Sequence, residues 1–138
     1  MNPSRLVDVF FYGLFMDANA LRAKGLHPIN ERQAAVYGMT LRLGDRATLT
    51  PDSNGIVHGF VMALSHAELE KLYAEPSVAS YRPEAVIARL ASGNDIAALC
   101  YNLPTTPDAH QHNPVYAEKL RELGNRLGLP TSYLASIR

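Results

Sequence analysis

The chain has 138 residues, 47% of them hydrophobic and 19% charged, and its 13 basic and 13 acidic residues leave a formal net charge of +0. This length and composition suit one folded domain over residues 1–138 with a sizeable core and exclude a disordered chain. Without a basic block or stripe, nucleic acid and acidic membrane are poor partners, while neutrality is compatible with a homo-oligomer.

Val7 to Tyr12 forms an apolar, aromatic-rich run that reads as a first strand. It is too short to span a membrane and is interrupted by Asp8 and followed by Gly13. No signal-peptide cleavage pattern follows, so we read it as a core strand of a cytoplasmic protein. Gly13 then makes a tight turn into a helix reaching about Lys24, which Gly25 stops and Pro28 leaves extended.

Ala34–Leu43 carries β-type residues, Gly44-Asp45 is a turn, and Ala47–Thr50 a short strand. Pro51-Asp52-Ser53-Asn54-Gly55 is the strongest hairpin signal in the chain, with Ile56–Leu64 as the return strand. Gly59 within that strand marks a close backbone approach. Ser65-His66-Ala67-Glu68 is a capping box that opens a helix, and Pro76 ends it near Ala74. Pro83–Leu90 and Ile96–Leu103 read as an antiparallel pair about Ser92–Asp95. Beyond a proline-rich loop, Val115–Leu127 is an amphipathic helix stopped by Gly128 and Pro130, and a last short helix follows. Hairpins with inserted helices predict an α+β fold, a small mixed or antiparallel β-barrel with flanking helices.

Cys100, the one cysteine, has no internal partner and fits a reducing compartment; its apolar run reads as a buried strand rather than a nucleophile site. Glu75 is the leading catalytic candidate. It leaves a helix end, is held extended by Pro76, and precedes a loop into Tyr81-Arg82, where a carboxylate can serve as a general acid/base; the alternative is a solvated surface charge. Tyr12-Gly13 is either an ordinary turn or a backbone cradle for a carboxylate, to which glycine admits close approach. His110 and His112 have a metal-like spacing in a proline-flanked loop without a third ligand, so no metal is expected there.

Taken together, these segments resemble the γ-glutamylcyclotransferase-like family. Phe11-Tyr12-Gly13-Leu14-Phe15-Met16 is similar to the family's Tyr-Gly loop after strand one. Leu64 through Glu75, then Tyr81-Arg82, is similar to its helix–Glu–loop–Tyr segment. Asn113-Pro114-Val115-Tyr116 resembles the Pro-x-Tyr opening of the late helix, and Gly128-Leu129-Pro130-Thr131-Ser132-Tyr133-Leu134 the tail. Two positions depart: Leu14 replaces the loop's Ser/Thr, and the step from Leu72 to Glu75 is one residue short. An ungapped match would set Pro76 under the family's glutamate; a one-residue deletion restores Glu75.

The resemblance implies an enzyme that cyclises a small γ-glutamyl amine or peptide to 5-oxoproline and a free amine, without metal or cofactor. Glu75 would be the general acid/base. Tyr12, Gly13, Leu14 and Phe15 would cradle the glutamyl carboxylate, and Tyr81 and Tyr116 would line the pocket. The alternative is a catalytically inactive small-ligand-binding or accessory domain of the same fold.

Overall fold

The computed structural model describes residues 5–138. Five strands, β1 (Leu6–Phe11), β2 (Ile29–Leu43), β3 (Ala47–Ser65), β4 (Arg82–Leu90) and β5 (Asp95–Asn102), form a closed barrel in the order β1-β3-β2-β4-β5. All neighbours are antiparallel except at the closing seam, where β1 runs parallel to β5 through Val9↔Leu99. Closure removes both sheet edges that a five-stranded sheet would otherwise expose.

Helices fill the gaps that the strand order leaves. A 3-10 turn, Leu14–Met16, leads from β1 into α1 (Ala18–Ala23), which Asp17 caps through the Asn19 amide at 3.0 Å. The expected capping box opens α2 (His66–Tyr73): Ser65 Oγ accepts from the Glu68 amide, and Glu68 Oε1 accepts from the Ser65 amide. The second Glu68 oxygen takes the His27 amide at 2.6 Å and so ties the α1–β2 loop to the start of α2. Asn113 caps α3 (Pro114–Leu127), whose exit is Gly128 in the left-handed region at φ 86°, and α4 (Thr131–Ser136) follows.

The core continues from inside the barrel to beneath these helices. Phe10, Met62, Leu64 and Val61 of the sheet, Leu72 of α2 and Leu120 of α3 are all essentially inaccessible. Each such side chain contributes about 1.5–3 kcal/mol by leaving water. In β1 three successive residues, Val9, Phe10 and Phe11, are buried, because this strand is covered on both faces.

The expected hairpin at Pro51–Gly55 is corrected. The chain reverses earlier, at the Gly44–Arg46 turn, and β3 runs unbroken through the Pro-Asp-Ser-Asn-Gly stretch. The register explains the misreading. Tyr37 faces Ile56 and Met39 faces Pro51, so residues 52–55 stand opposite Gly38 alone. The turn chemistry is present, with Asp52 Oδ1 accepting from the Asn54 amide at 3.0 Å, but it makes a bulge rather than a reversal. The strand β2 also begins five residues before the expected Ala34, beyond a second irregularity at Asn30.

Gly59 does mark a close approach: a Cβ there would collide with the carbonyl oxygen of Phe11 across the β1–β3 pairing. Backbone cannot yield as a side-chain tip can. Gly59→Ala is therefore expected to destabilise the fold by about 2–3 kcal/mol. Urea unfolding checks this: the midpoint should fall with the slope unchanged.

Candidate functional site

The β1 strand ends at the barrel rim, and the chain bends at Gly13 over a cavity of about 320 Å³. Its walls come from segments far apart in sequence: Phe10–Phe15, Arg46-Ala47 from the β2–β3 turn, Tyr73 at the end of α2, Ser77, Val78 and Tyr81 after it, Tyr101 of β5, and Tyr116 of α3. The volume lies within the range of small-molecule sites.

Aromatic packing builds the wall. Tyr73 stacks on Tyr101 with centroids 3.9 Å apart and planes 10° from parallel, meets Phe15 edge-on, and lies 6.2 Å from Tyr81. This holds the end of α2 against β5 and fixes where the following loop starts.

A buried amide supports the floor. Asn102 Oδ1 accepts from the Leu49 amide at 3.2 Å and lies 2.9 Å from the Tyr12 hydroxyl; the same hydroxyl proton also reaches the Tyr101 carbonyl at 2.8 Å. Asn102 Nδ2 donates to Glu84 at 2.8 Å. The Tyr81 hydroxyl donates to the Ala47 carbonyl in a short bond. Burial raises the pKa of Tyr12, Tyr73, Tyr81 and Tyr116, and nearby phenols add to the effect in Tyr12, Tyr73 and Tyr81. These hydroxyls are therefore neutral hydrogen-bonding groups near neutral pH rather than bases.

The predicted cradle is at this cavity. Tyr12, Gly13, Leu14 and Phe15 all line it, as do Tyr81 and Tyr116. The Leu14 amide donates to the Tyr116 hydroxyl at 3.3 Å. A Cβ on Gly13 would lie 2.7 Å from that same oxygen. Glycine is thus what lets α3 bring a hydroxyl against the loop's main chain. An incoming carboxylate could take the Leu14 N–H in place of that hydroxyl and accept from the hydroxyl in turn.

Glu75 does not line the cavity, although Tyr73 before it and Ser77 after it both do. Its carboxylate is turned to Lys24 at the end of α1, with Nζ 2.9 Å from Oε1 and 3.0 Å from Oε2. Among the described residues, the cavity is lined by no carboxylate or imidazole; Arg46 is its charged group. One guanidinium nitrogen of Arg46 donates to the Ser77 carbonyl and to Ser80 Oγ, holding the loop after Glu75 to the β2–β3 turn.

Cys100 is buried, and burial pushes its thiol up to about 12, which suits an inert core residue. His110 and His112 sit in the loop before α3; among the described residues no three His, Cys, Asp or Glu side chains gather as a metal site. No described helix is long and apolar enough to cross a membrane.

Arg46, Tyr73, Tyr101 and Asn102 were not singled out from sequence. Tyr73 had a usable signal, an aromatic two residues before the candidate glutamate. Asn102 had none: a polar residue near the end of an apolar strand reads as a solvated position. Asn102→Leu removes both the acceptor of the Leu49 amide and the donor to Glu84 Oε1. It is expected to cost about 1–3 kcal/mol, read as a lower urea midpoint.

A family model described as "Gamma-glutamyl cyclotransferase, AIG2-like" matches residues 9–121. The fold is similar to a solved structure described as a gamma-glutamyl cyclotransferase, with TM-score 0.79 and 18% identity over 97% of this chain and 89% of that one. It is similar also to an uncharacterized protein of Homo sapiens, with TM-score 0.77 and 20% identity over 96% and 88% of the two chains. A third likeness, to a protein of Arabidopsis thaliana, has TM-score 0.68 and 23% identity over 91% and 87%. No curated protein matches the chain in sequence.

Proposed function

The chain belongs to the gamma-glutamyl cyclotransferase, AIG2-like family, and from that premise we propose that it cyclises a γ-glutamyl amine or peptide to 5-oxoproline, with Glu75 as general acid/base. The observation that carries this reading is the path of the chain past the cavity. Gly13–Phe15 and neutral phenols line the cavity, no carboxylate or imidazole lines it among the described residues, and the backbone passes from one lining residue, Tyr73, through Glu75 to another, Ser77. A change of side-chain rotamer at Glu75 is the short route by which a carboxylate can enter it.

In this mechanism the glutamyl α-carboxylate binds at Gly13–Phe15 beside the Tyr116 hydroxyl. Glu75 takes a proton from the α-ammonium, and the freed amine attacks the γ-carbonyl carbon of its own molecule. The ring C–N bond forms as the bond to the leaving nitrogen breaks, Glu75 returns its proton to that nitrogen, and the ring nitrogen gives up its second proton to the departing amine, which leaves as an ammonium. Attack within one molecule gains the large rate advantage of proximity. A single carboxyl group can serve both proton transfers, as general acid–base catalysis requires.

Glu75→Gln should lower the rate of 5-oxoproline formation by about 10²–10⁴-fold with the fold intact. The check is mass-spectrometric assay of 5-oxoproline across a panel of γ-glutamyl amino acids, peptides and amines, with circular dichroism of the variant alongside. Undiminished turnover in Glu75→Gln would remove Glu75 from the chemistry.

The pairing of Glu75 with Lys24 favours one second reading, a module that binds a small carboxylate ligand without converting it. That reading expects ligand-dependent stabilisation of the wild-type protein with no product from any member of the panel.

A further inference from the structure

We propose that Lys24 is an internal competitor of the substrate, an ammonium that holds Glu75 outside the cavity until the substrate's own α-ammonium replaces it. This deepens the reading above and rests on Glu75 being the base of that reaction.

Three observations on the molecule lead there. First, Lys24 engages both carboxylate oxygens, at 2.9 and 3.0 Å, as an α-ammonium would. Second, the pair lies against the cavity wall rather than far from it. Lys24 Nζ is 5.8 Å from the centroid of Phe15, a lining residue, and the backbone on either side of Glu75 supplies Tyr73 and Ser77 to the lining. Third, the position of Lys24 is built in. Gly25, at φ 84°, ends α1 just after it, and the Glu68 bond to the His27 amide ties the following loop to α2. The two helices are thus joined at both ends of α2, by a capping interaction at its start and by this ion pair just beyond its end.

The strength of the pair fits exchange. The two side chains are 34% and 38% exposed, so solvent weakens their attraction. A pair of this kind holds the closed-off arrangement over the open one by about two- to fivefold. Only the open fraction accepts substrate, so apparent affinity is reduced by that fraction. The lock therefore lowers affinity without altering the chemical step, which takes place after Lys24 has been displaced. Lys71 is the neighbouring ammonium able to substitute, since its Nζ is 3.2 Å from where a Cβ on Gly25 would sit.

The test compares wild type with Lys24→Met, Lys24→Arg and the double variant Lys24→Met/Lys71→Met. In Lys24→Met, KM should fall about two- to fivefold while kcat changes less than twofold. Lys24→Arg, which restores a cation with paired donors, should return KM to the wild-type value or above it. Titration calorimetry with two unreactive probes supplies a second readout. L-glutamate, which carries the ammonium, should bind the methionine variant more tightly by the same factor. The product 5-oxoproline, which has no ammonium, should bind both proteins alike. A purely structural role for Lys24 would change both probes together. Unchanged KM and unchanged glutamate affinity in the single and double variants would overturn the proposal. Tighter glutamate binding in a protein that turns over no γ-glutamyl compound would uphold the lock and overturn the reaction assigned to the site.

Discussion

The side chain of Asn102 joins four strands at one buried point. It belongs to β5, accepts from the Leu49 amide of β3, contacts the Tyr12 hydroxyl just beyond β1, and donates to Glu84 of β4. Hydrogen bonds in such a setting are strong because water is absent, and for the same reason each one lost is costly. The seam between β1 and β5 is otherwise a brief parallel contact. The amide therefore fixes how the barrel closes where the Tyr12-Gly13 turn leaves it, and with it the position of the cavity floor.

From that floor the rest of the site follows by packing. Tyr101, the neighbour of Asn102, points to the opposite face of its strand and provides the surface on which Tyr73 stacks. Tyr73 ends α2, so its stacking determines where Glu75 and the loop after it begin. Arg46 then draws that loop to the β2–β3 turn. A chain of local contacts thus relates the barrel's hydrogen bonding to the carboxylate proposed as the general acid/base.

Much of this was legible in the sequence where local rules decide the structure. The capping box at Ser65, the helix stops at Gly128 and before Pro76, the β4–β5 pair and the close approach at Gly59 are each set by a few neighbouring residues, and each is found. Pro51–Gly55 shows the limit of the same rules. Its residues do favour a turn, yet the pairing of Tyr37 with Ile56 and Met39 with Pro51 continues the ladder on both sides. Register with a long partner strand outweighed local preference. The site residues divide in the same manner. Tyr12–Phe15, Tyr81 and Tyr116 carry short motifs and gather at the cavity, whereas Arg46 and Asn102 act through partners 18 to 90 residues away and have no local signature.

Glu75 joins the two cases, because its position along the chain was readable and its orientation was not. Lys24 is 51 residues distant, and nothing near either residue announces the pair. Yet the pairing is what the cavity's composition calls for. A carboxylate held unpaired against an aromatic wall would lose its hydration without compensation, a cost that rises steeply with burial. The phenols of the wall stay protonated, and the Arg46 guanidinium is engaged by the Ser77 carbonyl and Ser80 Oγ, so the cavity offers such a charge little in return. A half-exposed lysine at the edge gives it a partner while leaving water to weaken the bond. In the proposed reaction a substrate that brings its own ammonium would change that balance, because the carboxylate would then enter the cavity as one member of a new pair. On the proposed mechanism, the same physics that holds Glu75 to Lys24 would draw it to the ammonium of a bound substrate.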